Sequence, residues 1–167
     1  MEKVFLSKSE IAKVKEHLKR IEKVMKVTLK PEENYIIIET KKEKAIGTFD
    51  EYITKKILEA LAFSFTINKS LCLRDPNYEL RKIELRKRKR HAIKAHILGK
   101  KGKIKKLVGK ISNCEVLLKN NVVAILGRTE DVEEATRAIL ALIRGAPHGR
   151  VIMGLEKDIA RKRREKK

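Results

Sequence analysis

Ile97-Leu98-Gly99-Lys100-Lys101-Gly102-Lys103-Ile104 sets two glycines three positions apart, between an apolar pair and an amphipathic run that continues through Lys105, Lys106 and Leu107. A glycine-x-x-glycine turn ahead of a helix has no side chain to hold a nucleic acid backbone at a distance. The first N–H groups of the helix that follows lack partners inside the helix and can donate to a phosphate. Lys100 and Lys101 add positive charge within the turn. Alone, such a glycine pair suits a solvated helix start equally well, so its surroundings decide between the two.

Those surroundings are basic. The 167-residue chain carries 42 Lys and Arg against 22 Asp and Glu, a net charge of +20. Residues 1–80 hold 16 basic and 13 acidic residues, whereas residues 81–167 hold 26 and 9. No acidic residue falls between Glu84 and Glu115. That interval contains Arg86-Lys87-Arg88-Lys89-Arg90, Lys94, Lys110 and the lysines around the glycines. Such an imbalance implies a polyanionic partner, nucleic acid ahead of an acidic membrane surface. Lys100, Lys101, Lys103, Lys105 and Lys106 are the expected phosphate contacts, joined by Arg88, Arg90 and Lys94. Ile97, Leu98, Ile104, Val116 and Leu118 are expected to line an apolar groove for bases, with Leu107, Ile111 and Ile125 assigned to the core. No Phe, Tyr or Trp follows Tyr78. Modules that stack bases on aromatic rings therefore fit poorly, and a groove with aliphatic contacts fits better.

Other chemistries find little support. Cys72 and Cys114 stand far apart without a Cys-x-x-Cys pattern and read as reduced, buried thiols. His91 and His96 lack the further ligands a zinc site needs, and the sequence calls for no cofactor and no metal. No Ser/His/Asp arrangement, carboxylate pair or metal-binding acidic cluster is evident, so no catalytic residue is assigned. No segment reaches the roughly 20 apolar residues of a membrane span, and a cytoplasmic location is expected.

Apolar spacing supplies the elements. Ser7-Lys8-Ser9-Glu10 has capping-box spacing, and Ile11, Val14, Leu18, Ile21 and Met25 predict one helix from Lys8 to Val24. Val27, Leu29 and Tyr35–Ile38 predict strands around a turn at Pro31–Asn34. Ile53, Ile57, Leu58, Leu61 and Phe65 mark a second helix. Thr66 starts a short helix through Leu73, and Tyr78–Leu85 alternates like a strand. Ala92–Leu98 reads as strand or short helix, and Ile104–Ile111 as helix. Two strands, Glu115–Leu118 and Val122–Leu126, flank Asn120-Asn121, residues that tolerate the positive φ of a hairpin turn. Thr129 is expected to cap a helix with Val132, Ala135, Ile139, Leu142 and Ile143 on its apolar face, stopped by Gly145 and Pro147. The order repeats, predicting a duplicated unit. In a gapless overlay, Leu6-Ser7-Lys8-Ser9 falls where the second half has its glycine turn.

The segment Asp75-Pro76-Asn77-Tyr78-Glu79-Leu80 with Ile83 and Leu85, the basic cluster, the glycine turn and Gly145-Ala146-Pro147-His148-Gly149 together resemble the archaeal KH-domain pre-ribosomal RNA processing proteins, relatives of the partner-of-Nob (Dim) assembly factors. The resemblance implies an α+β fold of two tandem KH-type (βααββα) domains, the first degenerate, plus a basic C-terminal helix. The expected boundaries are 1–65 for a degenerate KH domain without a glycine loop and 66–85 for a linker with a short helix and strand. Residues 86–149 then form a KH domain with the loop, and residues 150–167 a basic helix or tail. The resemblance further implies a protein that is not an enzyme and binds single-stranded ribosomal RNA of the small subunit near its 3′ end. Its implied partners are the processing endonuclease and a translation initiation factor subunit. Two alternatives stand beside this: a KH subunit of an RNA-degrading complex or translation-linked adaptor, and a nuclease in its own right.

Overall fold

The computed structural model describes residues 1–40, 47–86 and 88–165. It divides into two compact units, Met1–Asp75 and Pro76–Lys167.

The first unit runs β1 (Glu2–Phe5), α1 (Lys8–Lys15), α2 (Leu18–Met25), β2 (Val27–Pro31), β3 (Tyr35–Thr40), α3 (Gly47–Phe63) and α4 (Ile67–Leu71). Its antiparallel sheet has the order β1-β3-β2, with Val4 opposite Ile36 and Leu29 opposite Ile38. One sheet face is buried with Ile11, Val14, Leu18, Ile21, Ile57 and Leu58 of the helices. The capping box forms: the Ser7 N–H donates to the Glu10 carboxylate at 3.0 Å, and the Glu10 N–H to Ser7 Oγ at 3.4 Å. Thr66 caps α4, its hydroxyl accepting from the Lys69 N–H. The single helix expected over Lys8–Val24 is instead two helices broken at Glu16-His17, where the His17 N–H turns back to the Val14 carbonyl at 2.9 Å.

The second unit runs β4 (Tyr78–Glu84), α5 (Arg90–Leu98), α6 (Lys103–Ser112), β5 (Glu115–Lys119), β6 (Val122–Arg128), α7 (Thr129–Ile143) and α8 (His148–Glu165). The sheet order is β4-β6-β5, all antiparallel. Asn120 and Asn121 form a two-residue hairpin loop between paired Lys119 and Val122, with Asn120 at φ +55°. The core joins Leu85, Ile97, Val108, Val116, Val123 and Ile125 to Val132, Ile139 and Leu142 of α7.

The expected boundaries shift in three places. Tyr78–Glu84 is not linker: it pairs along its length with β6 and supplies an edge of the second sheet. The short helix at Thr66 lies in the first unit. The C-terminal helix expected after 149 is α8, but it belongs to the second unit, because Val151, Leu155 and Ile159 are buried in that core. Each such side chain contributes about 1.5–3 kcal/mol by leaving water. Thr129 does not cap α7; Arg128 holds that position, and the Thr129 N–H donates to the Asn77 carbonyl at 2.8 Å. Ala92–Leu98, left open between strand and helix, is the body of α5.

Candidate nucleic-acid interface

The helix α5 ends at Leu98, and the Gly99 N–H closes its last turn on the Ala95 carbonyl at 2.9 Å. Gly99 then leaves the helix at φ 65°, ψ −175°. A Cβ there would sit 2.3 Å from Cγ1 of Ile104, so packing as well as φ requires glycine. Lys101 adopts left-handed angles (φ 54°, ψ 31°), and Gly102 follows at φ 72°, ψ 14°. At Gly102 a Cβ would meet nothing within 4 Å. Its open side is bare backbone next to the first turn of α6, which no side chain caps. The two glycines thus differ: Gly99 seats the turn on the domain, and Gly102 leaves open space beside the backbone.

Around this gap Lys100, Lys101, Lys103 and Lys106 are exposed, and Lys105 is half-buried. Arg88 is exposed, Lys94 is half-buried, and Arg90 donates through Nε to the Leu85 carbonyl at 3.3 Å. Lys87 lies outside the described residues. Among the described residues, no ion pair involves a Lys or Arg between Arg86 and Lys110. Elsewhere Lys162 binds the buried Glu134 carboxylate at 2.7 Å and Arg137 reaches Glu133 at 2.9 Å.

The apolar set splits. Leu98, Ile104 and Leu118 are half-buried and keep surface beside the loop helices and on β5. Ile97 and Val116 do not: at 0% and 6% exposure they are core side chains with no surface to offer a groove. Ile97 falls on the inner face of α5, and Val116 points from β5 into the core opposite Ile125. Ile125 is core as expected, but Leu107 and Ile111 are only half-buried. Sequence reasoning also missed the contact that holds the loop's near end: the His96 and His148 rings stack with centroids 4.3 Å apart. The segment Gly145–Gly149 was the available signal.

Both cysteines are free; Cys114 is buried, while Cys72 is only half-buried. Among the described residues no cluster of three His, Cys, Asp or Glu could hold a metal, and no helix is long and apolar enough to cross a membrane.

A three-stranded antiparallel sheet in the order first-third-second, backed by three helices and carrying a glycine loop between the first two, defines a KH-type nucleic-acid-binding domain. Residues 78–160 match the profile of the second KH domain of Pno1, described as a eukaryotic type KH-domain (type I). The pre-rRNA-processing protein pno1 of Aspergillus fumigatus is 36% identical over 87 residues, 51% of this chain and 34% of that protein. The crystal structure of Dim2p from Pyrococcus horikoshii superposes with a TM-score of 0.82 at 27% identity, covering 93% of this chain and 98% of that one. A crystal structure of an a/eIF2alpha–aDim2p–rRNA complex from the same organism gives 0.84 at 26% identity, covering 95% and 93%. The chain spans about a third of the length of the curated relatives it matches. It belongs to the family of KH-domain pre-rRNA-processing proteins that includes Pno1 and Dim2.

Proposed function

We propose that this protein is a noncatalytic RNA-binding factor of small ribosomal subunit assembly, acting in the cytoplasm. Its second unit binds single-stranded ribosomal RNA near the 3′ end and presents it to a partner endonuclease. The observation that carries this reading is the gap at Gly102: bare backbone at an uncapped helix start, among lysines with no internal acid partner. Lys100, Lys101 and Lys103 hold phosphates, with Lys105, Lys106, Lys94, Arg88 and Arg90 extending the field. Leu98, Ile104 and Leu118 support the bases. A KH loop clamps about four nucleotides of backbone, so the footprint is short.

The first unit is a degenerate KH domain. Its support is the shared order of strands and helices and the shared sheet order. Its first two helices are joined by Glu16-His17, without glycine. That unit stabilises the chain or carries a protein partner. The rRNA complex of the Pyrococcus neighbour makes a translation initiation factor subunit a second candidate partner.

The test uses the full chain with labelled oligonucleotides from the 3′ region and from an internal single-stranded segment of small-subunit rRNA, with Mg²⁺ present. Binding to the 3′ oligonucleotide should be at least about tenfold tighter, a difference of ~1.4 kcal/mol, with both RNAs left intact. Equal affinities would remove the 3′-end assignment. Trimming without added nuclease would remove the noncatalytic one.

A further inference from the structure

His96 and His148 form a reciprocal clasp between the end of α5 and the start of α8. Their rings stack with centroids 4.3 Å apart and planes at 27°. His96 Nε2 donates to the Ala146 carbonyl at 2.9 Å, and His148 Nε2 donates to the His96 carbonyl at 2.8 Å. A carbonyl only accepts, so both rings carry hydrogen on Nε2 in this arrangement. Gly145 at φ +87° turns the chain out of α7, and the Ala146 N–H returns to the Ala141 carbonyl at 3.0 Å. The segment Gly145–Gly149 therefore ties α5, α7 and α8 at one point.

That point is where the glycine loop begins. The last carbonyls of a helix have no partner within it. In α5 the Ala95 carbonyl accepts from Gly99. The next, on His96, would in a continuing helix accept from residue 100. The chain has already left the helix at Gly99, and the His148 imidazole takes that carbonyl instead. The cap comes from 52 residues further along the chain.

We propose that His148, together with His96, is a positioning residue of the RNA site. By capping α5 across the domain it fixes the direction in which the chain enters Gly99–Gly102, and with it the gap at Gly102. This rests on the RNA reading of that loop. Ile97, wholly buried between His96 and Leu98, anchors the same turn from the core side.

The experiment measures affinity of the full chain for a labelled rRNA 3′-region oligonucleotide, and amide hydrogen exchange at Gly99 and Gly102. His148→Phe keeps a ring to stack and removes the donor; His148→Gln restores an N–H. His148→Phe should bind about fivefold more weakly, the size of one lost hydrogen bond. Its Gly99 and Gly102 amides should exchange faster, with Tm within about 4 °C of the parent. His148→Gln should recover binding to within about twofold. Should His148→Phe not fold, His96→Phe removes the donor to Ala146, keeps the stack and is read the same way. Parental binding in these Phe variants, or weaker binding with unchanged loop exchange, overturns the proposal. A Lys100→Ala/Lys101→Ala chain tells the failures apart. If it loses affinity while His148→Phe does not, the clasp alone is wrong; if it also binds normally, the loop reading has failed and the clasp with it.

Discussion

The link between α1 and α2 is Glu16-His17, and the link between α5 and α6 is Gly99-Lys100-Lys101-Gly102. Both join the first two helices of a unit with the same sheet order. The first is two residues long with right-handed backbone, and His17 Nε2 lies 3.4 Å from the Glu16 carboxylate. The second has positive φ at three of its four positions, Gly99, Lys101 and Gly102, and an uncapped helix start. A phosphate approaching the first link would meet a carboxylate, whereas at the second it would meet backbone free of side chains, among lysines. One topology is thus compatible with binding only where the link supplies glycine and unpaired positive charge.

The same contrast runs through the cations. In the first unit Lys8 pairs with Glu33 at 3.7 Å, Lys30 with Glu39 at 2.8 Å and Lys55 with Glu2 at 2.6 Å. Exposed pairs of this kind add about 0–1 kcal/mol each; with 16 basic against 13 acidic residues over 1–80, this unit has little net charge to offer an external anion. The stretch from Arg86 to Lys110 has no such pairs among the described residues.

The largest expected effect comes from making the second link resemble the first. Lys101→Asp with Gly102→Asp should lower affinity for single-stranded rRNA about 100-fold, ~2.7 kcal/mol, as read by fluorescence anisotropy. Melting should fall by only about 1 kcal/mol, because aspartate tolerates left-handed angles at modest cost. Next, Leu155→Ala should cost about 2 kcal/mol of stability through the cavity it leaves under α8. Denaturant melts followed by probes in each unit should show the loss in the second. A shift confined to the first unit, or none, would contradict the place of α8 in the second core.

A smaller effect concerns salt. If five phosphates are neutralised, log affinity against log salt should have a slope of about −3.5 for a single strand. Lys100→Ala/Lys101→Ala should flatten it by about 1.4. An unchanged slope would place the phosphates elsewhere. The smallest concerns acid. Burial pushes the Glu51 carboxyl up, but the Met1 ammonium at 2.9 Å and the Thr40 hydroxyl and N–H outweigh it and hold the pKa below the ordinary 4.5. A depressed carboxylate contributes stability above its unfolded pKa and loses it as pH falls through the folded one. The first unit should therefore weaken below pH 4.5. Glu51→Gln should be less stable near neutral pH and show a shallower decline in acid. An identical acid profile would contradict the pairing.

What was legible in the sequence had a local cause. Asn120-Asn121 announces its hairpin because asparagine accepts positive φ, and Ser7 with Glu10 announces a helix start by reciprocal capping. The break at Glu16-His17 was illegible because Ile11, Val14, Leu18, Ile21 and Met25 keep helical spacing across it with no Gly or Pro. The gapless overlay therefore set Leu6–Ser9 against the glycine loop, whereas the link between the first two helices is Glu16-His17, and Leu6–Ser9 is the connection from β1 and the start of α1. At the site, the glycines and lysines could be read from residue type. That Ile97 and Val116 face inward, and that His148 reaches back 52 residues to cap α5, depends on packing between distant elements.

The most direct test is a titration of isotope-labelled full chain with a single-stranded rRNA 3′-region oligonucleotide, followed by backbone amide shifts. The largest shifts should map to Gly99–Lys106 and β5, with Glu16 and His17 unmoved. Shifts centred on the α1–α2 link, with Gly99–Gly102 silent, would contradict the assignment of RNA binding to the second unit.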